Sequence, residues 1–333
     1  MPQPTTSEVH IDTALSEIAL GYKLEAEAFI ADKVFPTVPV KKQSDKIFKF
    51  DKDYWLRISA SIRAPGTESA GGGFSISQTT SYFCDIHAIH QDLPEPTRKN
   101  ADIEDLEIQV TEWVTQQLLL ERERTWVARF FDDAGKSEGT DFWEIHTGVD
   151  SGPGDDQFLR WNDANSDPVT DINNGIVEIA KKTGVRPNIL VLGPEVYATL
   201  KTNPKVKELL AYAPTAPDVT PLVTPEMLAK IWDLDRVLVS WATHTSSQEG
   251  ASSISYDFIF GKHALLVYAP KKPGILIPTG GYNFEWTEYG NFPVPISTFP
   301  MPELKAERIE GEMAYALMLL GPDLGVFYKT AIA

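Results

Sequence analysis

Apolar residues along this chain recur at several different periods, and each period predicts a different element. Between residues 100 and 132, Ile103, Leu106, Val110, Trp113, Val114, Leu118, Val127, Phe130 and Phe131 mostly return at three- and four-residue spacing, which predicts one long helix. Asp102, Glu104, Asp105 and Glu107 load its first turns with acid, matching the positive end of the helix dipole, and Gly135 is a suitable stop. A rod of about 30 residues is roughly 45 Å long. Its apolar stripe needs a sheet or a partner along much of that length. After residue 170 helices and strands alternate. Asp171 is placed to cap a helix carrying Ile172, Ile176, Ile179 and Ala180, which stops near Gly184. The run Ile189-Leu190-Val191-Leu192 predicts a buried strand, and Pro194, Pro204 and Pro225 each open a helix. Strands are expected at 236–241, 258–260 and 264–268, and long alternating strands at 305–320 and 326–332. Residues 135–168, centred on Gly152-Pro153-Gly154, read as a loop-rich linker. The pattern is α+β, with no internal repeat.

The N-terminal third is different. Ile11, Leu15, Ile18 and Ala19 give residues 1–25 a weak helical pattern. In the stretch 28–40, Pro36 and Pro39 forbid helix and push their predecessors into extended backbone. Residues 47–50 predict a strand. Residues 53–94 then read as an extended arm without a core of its own. Strand-like runs at 54–58 and from 74–77 through 86–89 flank a flexible tip containing Pro65-Gly66 and Gly71-Gly72-Gly73. A two-stranded ribbon alone is marginal in water, and ordering about 40 residues costs roughly 40–80 kcal/mol of backbone entropy. Such an arm is expected to lie on something else, most simply a second copy of the chain.

The chain has 333 residues, 42% of them hydrophobic, enough for one large core or two coupled domains. A formal net charge of -17 argues against a nucleic-acid reader built on a basic groove, while leaving room for a surface that lies near DNA without gripping it. Cys84 is the single cysteine, so no intrachain disulfide forms. The start Met1-Pro2-Gln3-Pro4 has no basic stretch followed by an apolar one, and no apolar run approaches 18 residues, so neither a signal peptide nor a membrane partner is expected.

Each candidate chemical motif along the chain also has a structural explanation. Gly135-Lys136-Ser137 mimics the end of a phosphate-binding loop, but Phe130 stands where that motif needs glycine. Asp163, Asn165, Asp167 and Asp171 copy calcium-loop spacing, yet Pro168 and Asn174 replace the required glycine and glutamate. Cys84, His87 and His90 lie three apart, which on a strand sends successive side chains to opposite faces. Glu285, Glu288, Glu307, Glu310 and Glu312 offer carboxylate pairs, more simply read as solvated strand faces. Lys41, Lys42, Lys46, Lys49 and Lys52 form the densest basic run, diluted by Asp45, Asp51 and Asp53. No catalytic, cofactor-binding or metal residue is assigned.

The order of parts carries more information: arm, Phe-Pro-x-Val-Pro strand, long hairpin, acid-capped helix, α/β region, returning strands. Together with the stretch 28–40 and with Arg186-Pro187-Asn188-Ile189-Leu190-Val191-Leu192-Gly193-Pro194-Glu195-Val196-Tyr197, it resembles the major capsid protein of tailed bacteriophages, whose fold encapsulin shells share. The resemblance implies an N-terminal arm and lead-in strand at 1–52 and an E-loop at 53–95. It implies a peripheral domain with a spine helix at 96–169, an axial α/β domain at 170–300, and C-terminal strands at 301–333 returning to the peripheral domain. It implies a structural protein, not an enzyme, that forms pentamers and hexamers with itself. The shell would enclose double-stranded DNA without sequence-specific binding, with scaffold, portal or decoration proteins as further partners. The expected location is the virion capsid, assembled in the bacterial host cytoplasm. Intersubunit contacts are expected from Arg57, Arg63, Glu68, Gly71, Gly72, Gly73 and Phe74 of the E-loop. Some members of the family weld their shells through an E-loop lysine; residues 53–91 contain Arg57 and Arg63 but no lysine, so no such crosslink is expected. No long helical segment precedes the arm, so an internal scaffold is expected to be absent or already cleaved. An encapsulin-type compartment and a soluble α+β hydrolase with paired carboxylates are the alternatives.

Overall fold

The computed structural model describes residues 10–11, 28–50, 52–100, 106–211, 223–245, 247, 253, 255–274, 276–289 and 294–333. Helices and strands are both present, as the α+β reading expects. The first sheet is built around one long strand, Ala306–Leu319. On one side it pairs antiparallel with Asp85–Pro94. On the other it pairs with Ile296–Met301 in its first half and with Gly281–Trp286 in its second. Thr37–Val40 runs parallel outside Gly281–Trp286, and His10–Ile11 lies outside Ile296–Met301. Ile11 thus belongs to a strand rather than the weak helix expected there, while Leu15, Ile18 and Ala19 fall outside the described residues.

Alternation along the long strand decides its faces. Ile309, Gly311, Met313, Tyr315, Leu317 and Leu319 are buried, with Arg308, Glu310 and Glu312 on the other side of the pleat. The buried row meets the helix Leu106–Phe130, whose own buried residues include Val114, Leu118, Trp126 and Phe130 at helical spacing. The approach is close at Gly311, where a Cβ would stand 2.6 Å from Val114 Cγ1 and 2.9 Å from Leu118 Cδ1. The helix is shorter than the expected 100–132 span. Glu95–Asn100 is a separate helix, and 101–105 lie outside the described residues. Past its C-terminus, the Lys136 amine donates to the carbonyls of Ala128 and Arg129, capping orphan acceptors of the last turn, and to that of Asp132 just beyond it. The Gly-Lys-Ser run is therefore a helix stop, with Gly135 at φ +71°.

The second sheet runs in the order Gln157–Leu159, Glu144–Val149, Gly325–Lys329, Ala264–Val267, Ile189–Leu192, Arg236–Val239. Two of its strands come from the stretch expected to be a linker. Glu144-Ile145-His146-Thr147 alternates too weakly to be read as a strand, and its partner supplies the order. The two C-terminal strands part company: Ala306–Leu319 serves the first sheet and Gly325–Lys329 the second. Ile189, Leu190, Val191 and Leu192 are all fully buried, as their unbroken apolar run predicts. The helix Pro168–Thr183 is capped four residues before the expected position. Asp167, not Asp171, accepts the Thr170 N–H at 3.1 Å, and Pro168 fills the first turn. Asp171 instead accepts from Trp161 Nε1 at 3.0 Å, and burial pushes its carboxyl up to about 6. Gly184, in the left-handed region at φ 73°, ends that helix as expected. Pro194–Thr202, Pro204–Ala211 and Pro225–Ile231 follow the proline signals, the last with Thr224 as its cap.

Residues 28–35 join the parts. The Ala28 carbonyl accepts from Trp241 N and Ser240 Oγ beside the second sheet. The Ile30 and Ala31 amides donate to Glu123 of the long helix, and Asn283 of the first sheet donates to the Ala31 carbonyl. The Phe35 ring lies among Trp126, Phe130 and Trp143 at centroid distances of 6.1, 4.7 and 6.3 Å. One helical turn, Ala31–Val34, interrupts the extended backbone expected here, because the prolines act only from residue 35 onward.

Candidate assembly surface

The arm is a hairpin, but its ladder lies nearer its root than the sequence pattern suggests. Ser44–Phe50 pairs antiparallel with Ile76–Phe83, with a register shift between Ile47 and Lys49. Residues 54–58, expected to be strand, begin instead as a helical turn, Lys52–Leu56. Beyond the ladder the legs stay alongside each other. The Trp55 and Phe74 rings are 5.7 Å apart, Ser59 Cβ lies 3.6 Å from where a Cβ on Gly72 would stand, and Arg63 Nε donates to the Thr67 carbonyl.

The tip is the turn Ala64-Pro65-Gly66-Thr67. Thr67 N donates to the Ala64 carbonyl at 3.2 Å, proline occupies the second position and glycine, at φ +83°, the third. These are the requirements of a type II turn. Gly71, Gly72 and Gly73 therefore do not form the tip; they lie on the returning leg. None has positive φ, and side chains at Gly71 or Gly73 would meet nothing within 4 Å.

The root is fastened to the first sheet. Tyr82 stacks on Phe284 at 4.7 Å, and Tyr82 and Cys84 pack with Tyr282, Phe284 and Ala316. Trp286 Nε1 donates to the Lys41 carbonyl at 3.0 Å. Farther out, Lys52 pairs with Asp323 at 2.5 Å. From there every residue of 52–77 is exposed. Ile58 and Ile62 are fully so, and Tyr54, Trp55, Leu56, Phe74 and Ile76 are each more than two-fifths exposed. So many exposed large apolar side chains on one segment mark an interaction surface. Its charge also stands out. Residues 41–83 carry seven basic against four acidic side chains, in a chain of net charge -17.

Each residue expected to make contacts sits on this exposed hairpin. Arg57 lies over the Tyr54 ring at 5.8 Å, Arg63 braces the tip, Phe74 faces Trp55, and Glu68, Gly71, Gly72 and Gly73 line the returning leg. Sequence reasoning passed over Trp55, Ile58 and Ile62. Their signal was present, as large apolar residues in a segment with no core to receive them.

The other candidates fall into structural roles. Cys84 is buried, which pushes its thiol up to about 11. His87 stacks on Tyr315 at 4.6 Å, on the helix side of the sheet, whereas His90 pairs opposite Glu310 on the other side. Among the described residues no group of three or more His, Cys, Asp and Glu could hold a metal ion. Asp163 accepts from the Asn165 amide, and Asp167 and Asp171 are held as described. Glu285 and Glu307 are not free carboxylates on a solvated face. Glu285 pairs with the buried Arg122 at 2.8 Å, and Glu307 with Arg98 at 2.7 Å. Among the described residues no helix is long and apolar enough to cross a membrane.

No family model matches the chain. The chain is 26% identical over 323 residues to the major capsid protein of Burkholderia phage BcepMu, covering 95% of this chain and 94% of that protein. Among solved structures, a phage-related protein from Bordetella bronchiseptica RB50 matches with a TM-score of 0.69 at 21% identity, over 97% of this chain and 98% of that one. A chain of the cyanophage P-SCSP1u capsid matches with a TM-score of 0.58 at 12% identity, over 91% and 88%. The fold is that of phage capsid subunits, and the expected resemblance is borne out.

Proposed function

We propose that this chain is the shell-building subunit of a tailed-phage capsid, and that its exposed hairpin becomes covered by sister copies in the assembled shell. The work of the chain is structural. One observation carries the reading: on a phage-capsid fold, the exposed residues 52–77 hold seven large apolar side chains, Tyr54, Trp55, Leu56, Ile58, Ile62, Phe74 and Ile76, each more than two-fifths exposed. Burying a large apolar side chain contributes about 1.5–3 kcal/mol, so together they hold on the order of 10 kcal/mol in reserve for contact with neighbours. Weak contacts repeated around each subunit add through multivalency. The basic excess of the hairpin suits the acidic remainder of a sister copy and sets the register of contact.

In this reading residues 1–52 are the arm and lead-in, 53–95 the E-loop, 96–169 the peripheral domain, 170–300 the axial domain, and 301–333 the returning strands. Arg57, Arg63, Glu68, Gly71, Gly72, Gly73 and Phe74 contact the neighbour. Subunits gather as pentamers and hexamers into an icosahedral virion shell, built in the host cytoplasm around double-stranded DNA held without sequence readout. Scaffold, portal or decoration proteins complete it. With no lysine between 53 and 91, the shell holds together without covalent links from the hairpin.

Electron microscopy of the purified full chain tests the reading, with closed shells expected. Deleting 58–74, which spares the paired strands Ser44–Phe50 and Ile76–Phe83, should leave a folded subunit that forms no closed particle. Normal shells from that deletion, or a chain that stays a small oligomer and turns over a substrate, would overturn it. Mature particles boiled in detergent should run as a single 37 kDa band, not a ladder.

A further inference from the structure

Glu123, on the buried face of the long helix, is fully enclosed. Its Oε1 accepts two backbone amides, from Ile30 and, at 2.9 Å, from Ala31. Its other oxygen, Oε2, is buried with no hydrogen-bond partner. These contacts hold the 28–35 segment, which ties both sheets to the long helix and leads back to the N-terminal residues. The charged and titratable groups around Glu123 are few. Asp32 comes from the segment itself and Arg122 from the same helix. Glu285 and Tyr315, from the first sheet, reach it through Arg122, which pairs with Asp32 at 2.5 Å and Glu285 at 2.8 Å and lies 5.1 Å from the Tyr315 ring centre.

We propose that Glu123 is a proton-operated latch: in its neutral form it pins the 28–35 segment to the long helix, and loss of its proton drives that segment to open toward water. The geometry states why. Both amides bind one oxygen, so the proton rests on the partnerless Oε2. Once it leaves, the charge is shared by both oxygens, and the half on Oε2 stays buried with no hydrogen-bond donor, which is costly. Burial, with Asp32 adding to it, raises the carboxyl to about 7 against the pull of the two amides and Arg122. In an opened segment the same carboxyl returns to its ordinary value near 4.5. Between those two values the closed form holds one more proton than the open form. Opening therefore rises by up to about tenfold per pH unit across that interval and levels off above it. The latch is tight in acid and loose at neutrality.

Hydrogen exchange of the Ile30 and Ala31 amides tests this in the unassembled full-length chain between pH 5 and 8, after correction for the chemical exchange rate, with the Leu190 amide as control. The readout does not depend on shell formation. In the wild type the corrected opening constant at Ile30 and Ala31 should climb up to about tenfold per unit and flatten near neutrality. In Glu123→Gln, which keeps an acceptor oxygen but cannot titrate, it should be flat. A flat wild-type profile, or the same slope in E123Q, overturns the proposal. Should E123Q fail to fold, Asp32→Asn serves instead. Removing a facing negative charge should move the flattening point to lower pH, and an unmoved point overturns the latch.

Discussion

Trp55 and Phe74 face each other across the two legs of the hairpin with ring centroids 5.7 Å apart, although both are more than half exposed. A tilted aromatic pair contributes about 0.5–1.5 kcal/mol beyond its burial. With no ladder beyond Phe50 and Ile76, this pair is a main tie between the outer legs. The double substitution Trp55→Ala with Phe74→Ala should leave the subunit's melting temperature within about 1 °C, because neither ring belongs to the core. Shell formation followed by light scattering should fail or slow at least tenfold. A destabilised subunit that still assembles at the normal rate would place these rings in the core and remove them from the interface.

Two glycine sites with opposite surroundings separate folding from assembly. At Gly311 a Cβ would stand 2.6 Å from Val114 Cγ1 and 2.9 Å from Leu118 Cδ1, so Gly311→Ala forces these packed side chains, or the helix that carries them, to shift. Overpacking of this kind costs about 1–3 kcal/mol. Gly71→Ala and Gly73→Ala, in open space with ordinary φ, should leave the urea midpoint of the subunit unchanged. Any defect they cause should appear only in assembly, where a neighbour's close approach would need the missing side chains. Equal urea midpoints for the 311 and 71 variants would contradict the helix–sheet packing.

What was legible in the sequence follows from which forces act locally. The helix at 106–130, the buried strand Ile189–Leu192 and the proline-opened helices were readable, because periodicity, burial and caps are written within a dozen residues. The strand Glu144–Val149 was not, since its order comes from Gly325–Lys329, whose Val326 pairs with Glu144 across most of the second half of the chain. The helix at 168 was set four residues late because Asp167 and Asp171 are equally good caps on paper, and only the Trp161 indole claims the second. In the hairpin, the glycine triplet drew the tip away from Pro65-Gly66, the pair that meets the turn's conformational demand. The assembly surface was visible as apolar residues without a core. The latch at Glu123 was not, because nothing in the sequence says that a glutamate in the middle of an amphipathic helix will reach amides 92 and 93 positions away.

Arg122 is buried, with ion pairs to Asp32 at 2.5 Å and Glu285 at 2.8 Å and a ring contact to Tyr315. It neutralises two carboxylates from separate parts of the chain at the point where the 28–35 segment meets the first sheet. Arg122→Met keeps the volume but leaves both carboxylates without their cation. Breaking a buried ion pair from one side costs about 3–5 kcal/mol. Urea denaturation should show a loss in that range. Adding Glu285→Gln should recover part of it, since one of the stranded charges is then removed. A loss below about 1 kcal/mol would mean that the two carboxylates find water instead.

Cys84 joins the hairpin strand Ile76–Phe83 to the first-sheet strand Asp85–Pro94 and stands fully buried against Tyr82, Tyr282 and Phe284. Burial, with Asp85 and Glu285 adding to it, raises the thiol from 9.0 to about 11. The thiolate is the reactive form, so the native protein at pH 8 should react with an aromatic disulfide reagent at least a hundredfold more slowly than the urea-unfolded chain. Because this is the single cysteine, the absorbance change reports one site. The folded state disfavours the ionised thiol, so the unfolded chain releases its proton first as pH rises. The stability contributed by the neutral thiol is therefore complete below pH 9, falls as pH climbs from there, and is spent near 11. Cys84→Ala should remove that alkaline slope from the pH dependence of the urea midpoint while costing about 1 kcal/mol at neutral pH. Rapid labelling of the native chain would show that the hairpin root opens in solution and is not anchored to the sheet as the Tyr82–Phe284 stack implies.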